Sequence, residues 1–143
     1  MIRIRPAAPA DATALSDLLR ELGYDVTAGA AEKRLALLRS TGCDPVYVAV
    51  DDGAPLGLVA LHWAPVIHLE KPAARITALV VSHRARRRGI GRSLIDHAVA
   101  AARAAGCGRI ELTSANDRAE AHAFYRASGL QQSSLRFHRE LDG

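Results

Sequence analysis

Residues 76–105 constrain the fold of this chain more than any other stretch. The apolar run ITALVV at 76–81 has the composition of a strand covered on both faces, and residues 93–105 repeat apolar side chains with helical spacing. Between them, the turn RARRRGIGR at 84–92 carries five arginines and two glycines. A helix that starts directly after such a turn offers unpaired N–H groups and a partial positive charge to an anion. The stretch therefore predicts a strand, a turn and a helix that together hold phosphate groups.

The composition of the turn supports this interpretation. Gly89 and Gly91 allow conformations that a Cβ atom would forbid, and they let a ligand approach the backbone closely. Arginine side chains add charge-assisted, often bidentate, contacts to phosphate oxygens. The turn is not a P-loop, because no Lys-Ser/Thr pair follows the second glycine, and the dinucleotide-binding pattern would need a further glycine. The alternative interpretation is a solvated basic loop followed by an ordinary helix.

A chain of 143 residues suits one domain, 1–143, that can bury an adequate core. No apolar run approaches the ~18 residues that a membrane span needs. The N-terminal residues alternate like a strand instead of forming a signal peptide. We therefore expect a cytoplasmic protein without a membrane partner. Cys43 and Cys107 have the spacing of neither a disulfide framework nor a metal site.

The formal net charge is +4, and arginine supplies most of the positive side. The clustering of arginines at 84–92 predicts a polyanionic partner, which is either a nucleotide-like cofactor or a nucleic acid. No aromatic residue interleaves with these arginines, so a platform for stacked bases is not indicated. We expect a cofactor and no nucleic acid.

Apolar periodicity and turn residues predict an α/β (α+β) domain with the element order βααβββαβαβ. Its mixed central sheet is expected to hold six to seven strands, flanked by about four helices. The predicted strands cover 2–6, 46–50, 56–63, 76–81, 110–114 and 135–141. The predicted helices cover 11–22, 27–42, 91–105 and 116–128, and a looser segment covers 64–74.

Three features together resemble the GNAT superfamily of N-acetyltransferases, which transfer an acetyl group from acetyl-CoA to an amine. One is Arg86-x-x-Gly89-x-Gly91 after an apolar strand, which matches the family's Arg/Gln-x-x-Gly-x-Gly/Ala signature. Another is Asn116 followed nine residues later by Tyr125, within AHAFYRASG, which resembles the family's late asparagine and its Phe-Tyr-x-x-x-Gly stretch. The third is the element order along the whole chain.

A closer likeness is to the aminoalkylphosphonate N-acetyltransferase branch of this superfamily. The shared pieces are Leu-His at 61–62, Leu-Val-Val at 79–81, Ala-His-x-Phe-Tyr at 121–125 and Ser-x-x-Arg-Phe at 133–137.

The resemblance implies that the strand before the turn splays from its neighbour and that the pantetheine arm of acetyl-CoA pairs with the exposed backbone. In this chain Leu79 and Val81 would pair with the arm, and the N–H groups of 87–92 would wrap the pyrophosphate. The cofactor-binding residues implied in this way are Leu79, Val80, Val81, Arg86, Arg87, Arg88, Gly89, Ile90, Gly91, Arg92, Asn116 and Tyr125. The expected acceptor is a primary amine on a small molecule, and a homodimer is the expected assembly.

Direct acetyl transfer requires a deprotonated amine, a polarised carbonyl and a protonated leaving thiolate. The resemblance implies that Tyr125 is the acid, which suits a phenol because it is a neutral donor near pH 7. The alternative is a packed aromatic ring beside Phe124. Asn116 is expected to contact the pantetheine arm or an ordered water, or alternatively to cap the last helix. A backbone N–H on the splayed strand is expected to polarise the carbonyl.

The resemblance leaves the general base open. Relatives commonly place a glutamate on the strand before the turn, whereas positions 75–78 here are Arg-Ile-Thr-Ala. Among the remaining titratable side chains we rank His68 together with Glu70 first, then Glu111, and then His62. A water relay, or an amine that arrives neutral, is the alternative. No close pair of metal-binding side chains appears, so no metal is expected.

Two other functions stay open at this point. The acceptor could be a protein N-terminus or lysine, although the histidine-bearing 64–74 segment suggests a lid over a small polar site. Alternatively, the missing glutamate allows a non-catalytic sensor that binds acyl-CoA.

Overall fold

The computed structural model describes residues 1–113 and 119–141. The chain divides into two compact units, Met1–Leu112 and Thr113–Gly143. Within the described ranges, no helix combines the length and the apolar character that crossing a membrane requires.

A five-stranded sheet forms the centre of the first unit, with its strands in chain order. The strands are β1 (Arg3–Pro6), β2 (Val46–Val50), β3 (Gly57–Ala64), β4 (Ala73–Val81) and β5 (Arg109–Leu112). Strands β1 to β4 are antiparallel, whereas β4 and β5 are parallel. The prediction of a mixed sheet is confirmed, but the described residues form five strands and not the six to seven expected.

Three helices flank this sheet in the first unit: α1 (Ala12–Leu22), α2 (Ala28–Thr41) and α3 (Ile90–Ala104). The predicted helix ends are confirmed by local caps. The Thr27 hydroxyl accepts the Ala30 N–H at 3.1 Å at the start of α2. Gly23 takes a left-handed φ of 108° directly after α1, a conformation that favours glycine.

The sheet carries a hydrophobic core on each face, because side chains alternate along its strands. Helices α1 and α2 cover one face, with Leu18 at the centre of that core, and α3 covers the other with Leu94. On β4, Val80 belongs to the α1/α2 core, while its neighbours Leu79 and Val81 pack against the α3 core. The last residues of β4 are therefore fixed from both faces.

The second unit contains α4 (Ala119–Ala127), which ends before Gly129 at a left-handed φ of 89°. Residues 130–141 have no regular secondary structure, so the predicted strand at 135–141 is wrong. An alternating pattern forms a strand only where another strand accepts its backbone hydrogen bonds, and no described residue does so here. Its apolar side chains are instead 73, 87 and 84 % exposed, for Leu135, Phe137 and Leu141. Asn116 lies outside the described residues.

Asp11 connects β1 to the start of α1. Its carboxylate is 6 % exposed and accepts two hydrogen bonds from the Arg5 guanidinium, at 2.8 and 3.0 Å, and one from the Ala8 N–H at 2.8 Å. The hydrogen bonds from Arg5 lower the pKa of Asp11 below its ordinary value of 3.8, against a smaller rise caused by burial. A carboxyl with a lowered folded-state pKa stabilises the fold above its ordinary value and loses that contribution as the pH falls through the lowered value.

We expect Asp11→Asn to lower the free energy of unfolding by about 2 kcal/mol at pH 7, since it removes a charged bidentate contact. The loss should shrink as the pH falls below 3.8, where protonation of the unfolded carboxyl offsets the advantage. Urea unfolding at pH 7 and pH 3 measures both effects. Asp17→Asn is the control, because Asp17 meets Arg20 at the exposed surface at 3.4 Å and should matter by less than ~0.5 kcal/mol. An equal loss at both pH values would contradict this account of Asp11.

Candidate active site

The arginine-rich turn between β4 and α3 is anchored in the core at both ends. Ser82 is fully buried and donates its N–H to the Leu56 carbonyl at 2.7 Å. Ala85 and Ile90 are each only 2 % exposed. The backbone between these two apolar anchors is therefore held in place, while the residues from Arg86 to Gly89 remain exposed.

Two residues of the turn have left-handed backbones, Arg87 at φ 67° and Gly89 at φ 75°. The N–H groups of 87–91 donate to no described residue, and the first hydrogen bond of α3 joins the Ser93 N–H to the Gly89 carbonyl at 3.0 Å. Unpaired N–H groups at a helix start suit an anion. Gly91 does not need a left-handed backbone, contrary to expectation, because α3 already begins at Ile90 and includes it.

The arginine side chains of the turn differ in their partners. Arg84 donates to the Ser82 hydroxyl at 3.3 Å, and Arg88 forms an ion pair with Asp51. Hydrogen bonds from the N-terminal amino group and from Arg88 lower the pKa of Asp51 to about 2. Arg86 and Arg87 are exposed and form no ion pair with any residue in the described part of the chain. These two guanidinium groups are therefore available to a ligand.

Strands β4 and β5 pair over only part of their length. The parallel register joins Ala73–Ile76 to Arg109–Leu112. Within the first unit, no described strand continues beside β4 from Thr77 to Val81. On its other side, β4 stays paired with β3 as far as Val81, which lies opposite Gly57. Among the described residues of the first unit, one edge of β4 is therefore open over its last five residues.

Backbone alternation shows which groups face this open edge. Ser82 donates its N–H toward β3, to the Leu56 carbonyl. Because successive residues of an antiparallel strand direct their N–H and C=O groups to opposite sides, Val81 and Leu79 direct theirs to the open edge. An extended ligand could add to the sheet there as a further strand.

Four polar residues, which we call the polar row, cross the sheet: Asp44, His62, Arg75 and Glu111. The register places His62 of β3 opposite Arg75 of β4, and Arg75 beside Glu111 of β5. Asp44 precedes β2 and contacts His62, with 2.6 Å between Oδ1 and Nδ1. Directly opposed residues present their side chains on the same face of a sheet, so these groups lie side by side.

The polar row lies on the α1/α2 face, at the point where β4 and β5 separate. Leu61, Ile76 and Leu112 are adjacent in sequence to members of the row and pack against the α3 core. Alternation therefore turns the row to the other face. The pair Ile76–Leu112 is also the last that joins β4 to β5. The row thus marks the inner end of the open edge.

The two base candidates ranked first lie in the segment that precedes β4. His68 and Glu70 are exposed in the segment between β3 and β4. Glu70 lines a shallow depression with Leu69, Lys71, Gly108 and Arg109, beside the first residues of β4 and β5. At about 3.3 Å per residue, the length of β4 separates this depression from the arginine-rich turn by roughly 26 Å.

Tyr125 lies on α4 in the second unit and is half-buried. Its ring meets Phe124 edge to face, with 5.9 Å between the centroids and an angle of 60° between the planes. This contact is compatible with the packed-aromatic alternative, and the acid role of Tyr125 stays a prediction.

Asp44 is the residue of the polar row that sequence reasoning missed. A signal for it existed in the two successive predicted strands, 46–50 and 56–63. The register that pairs Val46 with Ala60, continued by two residues, brings Asp44 opposite His62. Only the assumption of an uninterrupted register was needed.

A sequence model of the Acetyltransferase (GNAT) family matches residues 13–130. The chain therefore belongs to the acetyltransferase (GNAT) family, which confirms the resemblance drawn from the turn and the tyrosine motif.

One individual relative is similar to this chain over part of its length. The chain is 34 % identical over 94 residues to an aminoalkylphosphonate N-acetyltransferase of Salmonella typhimurium (strain LT2), a match that spans 66 % of this chain and 61 % of that protein. The match thus covers less than two thirds of the relative's length.

Solved structures agree in fold. One from Agrobacterium tumefaciens str. C58, described as an acetyltransferase, is 26 % identical, with a TM-score of 0.88 over 97 % of this chain and 99 % of the other. An aminoglycoside N-acetyltransferase in complex with CoA gives a TM-score of 0.85 at 16 % identity, over 98 % of this chain and 95 % of the other. At that low identity, the second likeness concerns the fold alone.

We expect Arg87→Gly to be more stable than Arg86→Gly by about 1 kcal/mol. Arg87, at φ 67°, carries a left-handed conformational cost that glycine does not, whereas Arg86 has an ordinary φ of −68°. Each variant removes one exposed guanidinium and adds the same freedom to the unfolded chain, so their difference isolates the backbone cost. Parallel denaturant unfolding measures this difference. Equal stabilities would show that the folded chain does not hold Arg87 in this conformation.

Proposed function

We propose that this chain transfers an acetyl group from acetyl-CoA directly to the primary amine of a small molecule. The observation that carries the proposal is the junction of two ligand surfaces, the unpaired amides of 87–91 and the open edge of β4 from Thr77 to Val81. The first surface suits a pyrophosphate, and the second suits an extended arm that hydrogen-bonds to a strand. CoA has both a phosphorylated end and such an arm.

The residues proposed to hold acetyl-CoA lie on consecutive elements. The N–H groups of Gly89, Ile90 and Gly91 face the pyrophosphate, and the exposed guanidinium groups of Arg86 and Arg87 neutralise its charge. The backbone groups of β4 at its open edge hydrogen-bond to the pantetheine arm. Bound in this way, acetyl-CoA supplies an acetyl group activated as a thioester.

Tyr125 is proposed as the acid that protonates the leaving thiolate. A backbone N–H on the open edge of β4 is proposed to hold the carbonyl oxygen as it gains charge. The amine must also lose a proton. His68 and Glu70 remain candidates for that role.

The acceptor is proposed to be a small polar amine. This proposal is supported by the name of one related protein, an aminoalkylphosphonate N-acetyltransferase. One rival function is a sensor that binds acyl-CoA without transferring its acetyl group. Residues 75–78, which begin with Arg75, contain no carboxylate that could act as a base, and this favours the sensor.

An amine panel separates these functions. Purified protein and acetyl-CoA are mixed with an aminoalkylphosphonate, an aminoglycoside, a polyamine, amino acids and a lysine-containing peptide, and free thiol is measured. Thiol release that depends on a small amine supports the proposed transferase. Release with the peptide alone supports a protein acetyltransferase. Thermal stabilisation by acetyl-CoA without any amine-dependent release supports the sensor.

We expect Gly89→Asp to weaken CoA binding by at least about tenfold, because it adds a negative charge where the pyrophosphate is proposed to bind. Gly106→Asp is a matched control at the other end of α3, since Gly106 has a similar φ of 84° and equally open space around its Cα. Calorimetric titration with CoA compares the two variants after circular dichroism has shown that both are folded. Equal losses of affinity would place the pyrophosphate elsewhere.

We expect Tyr125→Phe to lower turnover by about 10²-fold while leaving the affinity for acetyl-CoA unchanged, since it removes only the proton donor. Tyr24→Phe is the control, because Tyr24 is an exposed tyrosine of the first unit. Steady-state kinetics with an accepted amine measures turnover, and calorimetry measures affinity. Unchanged turnover would remove Tyr125 from the proposed chemistry.

A further inference from the structure

We propose that His62 is the general base that accepts the proton of the acceptor amine and that Asp44 positions it. This inference rests on the proposed function, because it assigns a proton acceptor to the same transfer reaction. It departs from the ranking of base candidates by sequence, in which His62 came last and Asp44 did not figure.

Asp44 is itself held in place before it holds His62. Its Oδ2 accepts the Thr41 hydroxyl at 2.6 Å and lies 3.4 Å from Cys43 Sγ, while its Oδ1 lies 2.6 Å from His62 Nδ1. Burial raises the pKa of Asp44, but the hydrogen bonds from Thr41, His62 and Cys43 outweigh it and leave this pKa below the ordinary 3.8. Asp44 is therefore a carboxylate at neutral pH.

The ionised Asp44 determines the tautomer of a neutral His62. A carboxylate only accepts hydrogen bonds, so the proton in the 2.6 Å contact belongs to Nδ1 of the imidazole. The other ring nitrogen, Nε2, then carries a free lone pair. The ring is 47 % exposed, so this lone pair is accessible to a substrate. A histidine oriented by a carboxylate in this way is suited to general-base catalysis.

The position of His62 agrees with this role. It lies opposite Arg75 of β4. Arg75 is one residue before Ile76, whose pair with Leu112 is the last that joins β4 to β5. Ser82, the residue that follows β4, lies five residues beyond Thr77, so the open edge runs about 17 Å between the end of β4 and this point. An arm that starts at the turn and follows the open edge therefore ends beside the polar row.

The hydrogen bonds and the strand register identify the charged and polar groups around His62. Asp44 contacts it from the segment between α2 and β2, where Cys43 also lies, and Thr41 at the end of α2 donates its hydroxyl to Asp44. Arg75 faces it from β4. The positive charge that His62 gains on protonation is opposed by the Arg75 guanidinium and offset by the Asp44 carboxylate, which is in direct contact.

In the proposed acetyl transfer, His62 accepts the proton that the amine loses and Tyr125 supplies the proton that the leaving sulfur gains. The neutral amine attacks the thioester carbon, its nitrogen–carbon bond forms, and its proton passes to His62 Nε2. The carbonyl re-forms, the carbon–sulfur bond breaks, and the sulfur leaves with the electron pair and takes the Tyr125 proton. His62 then releases its proton to solvent, and Tyr125 regains one from solvent. The products are an amide and a free thiol.

We expect His62→Gln to lower turnover at pH 7 by about 10²-fold or more with the affinity for acetyl-CoA unchanged, because no base then takes the proton that the attacking amine must lose. Asp44→Asn should lower turnover and alter the pH profile, and Asp44→Glu should restore part of the activity. His138→Gln, on an exposed histidine of the second unit, is the matched control. Kinetics with an accepted amine across a pH series and calorimetry with acetyl-CoA measure these effects.

Four outcomes would overturn the base assignment. Acetyl transfer that persists in His62→Gln overturns the base assignment but not the proposed function. A loss of transfer that occurs only in His68→Gln or Glu70→Gln has the same consequence. A wild-type chain that acetylates no amine overturns both this assignment and the proposed function. Cys43, Asp44 and His62 also place three atoms within 4.8 Å that a divalent cation could share. Activity that EDTA abolishes and zinc restores would therefore also overturn a metal-free base.

A direct measurement covers the case in which His62→Gln does not fold. Nitrogen-15 NMR of the wild-type chain reports the tautomer of each histidine ring. A neutral His62 protonated on Nδ1 supports the assignment. Protonation on Nε2 would leave no free lone pair toward the substrate and would overturn it.

Discussion

The short pairing between β4 and β5 is the constraint on which the candidate site depends. Parallel hydrogen bonds join the strands through Ile76 and Leu112, and β4 then continues for five residues whose outer edge has no partner among the described strands of the first unit. Pairing along the whole of β4 would leave no backbone groups for a ligand. The open edge is stiff nonetheless, because β3 pairs with it on the other side and side chains of both cores pack on its two faces.

Buried residues fix the ends of the arginine-rich turn, whereas backbone amides within it donate no hydrogen bond to any described residue. Buried Ser82, Ala85 and Ile90 hold its ends, whereas the amides of 87–91 have no acceptor in the described chain. Arg87 adopts a left-handed backbone that favours glycine. A non-glycine residue in that conformation, beside free amides and two unpaired guanidinium groups, is typical of a site that is organised before its ligand arrives.

Local patterns predicted most of the fold, whereas features that depend on distant partners were missed or wrong. The helix caps at Thr27 and Gly23 and the apolar run of β4 depend only on neighbouring residues. The sequence therefore predicted their positions. The strand predicted at 135–141 needed a partner strand that no local pattern can supply. The contact between Asp44 and His62 depends on the register of a whole hairpin, which explains why His62 was ranked last. Gly91 was assigned a conformational role that belongs to Gly89 alone, since the helix begins one residue early.

The ion pair between Arg88 and Asp51 gives the turn a built-in counter-anion from the β2–β3 hairpin. A ligand that recruits Arg88 must displace this carboxylate, so the gain is the difference between two charge-assisted contacts. Arg86 and Arg87 require no such exchange, which makes them the first guanidinium groups that an arriving anion can engage. If the turn binds an anion as proposed, only a ligand that competes with the Asp51 carboxylate would separate Arg88 from Asp51.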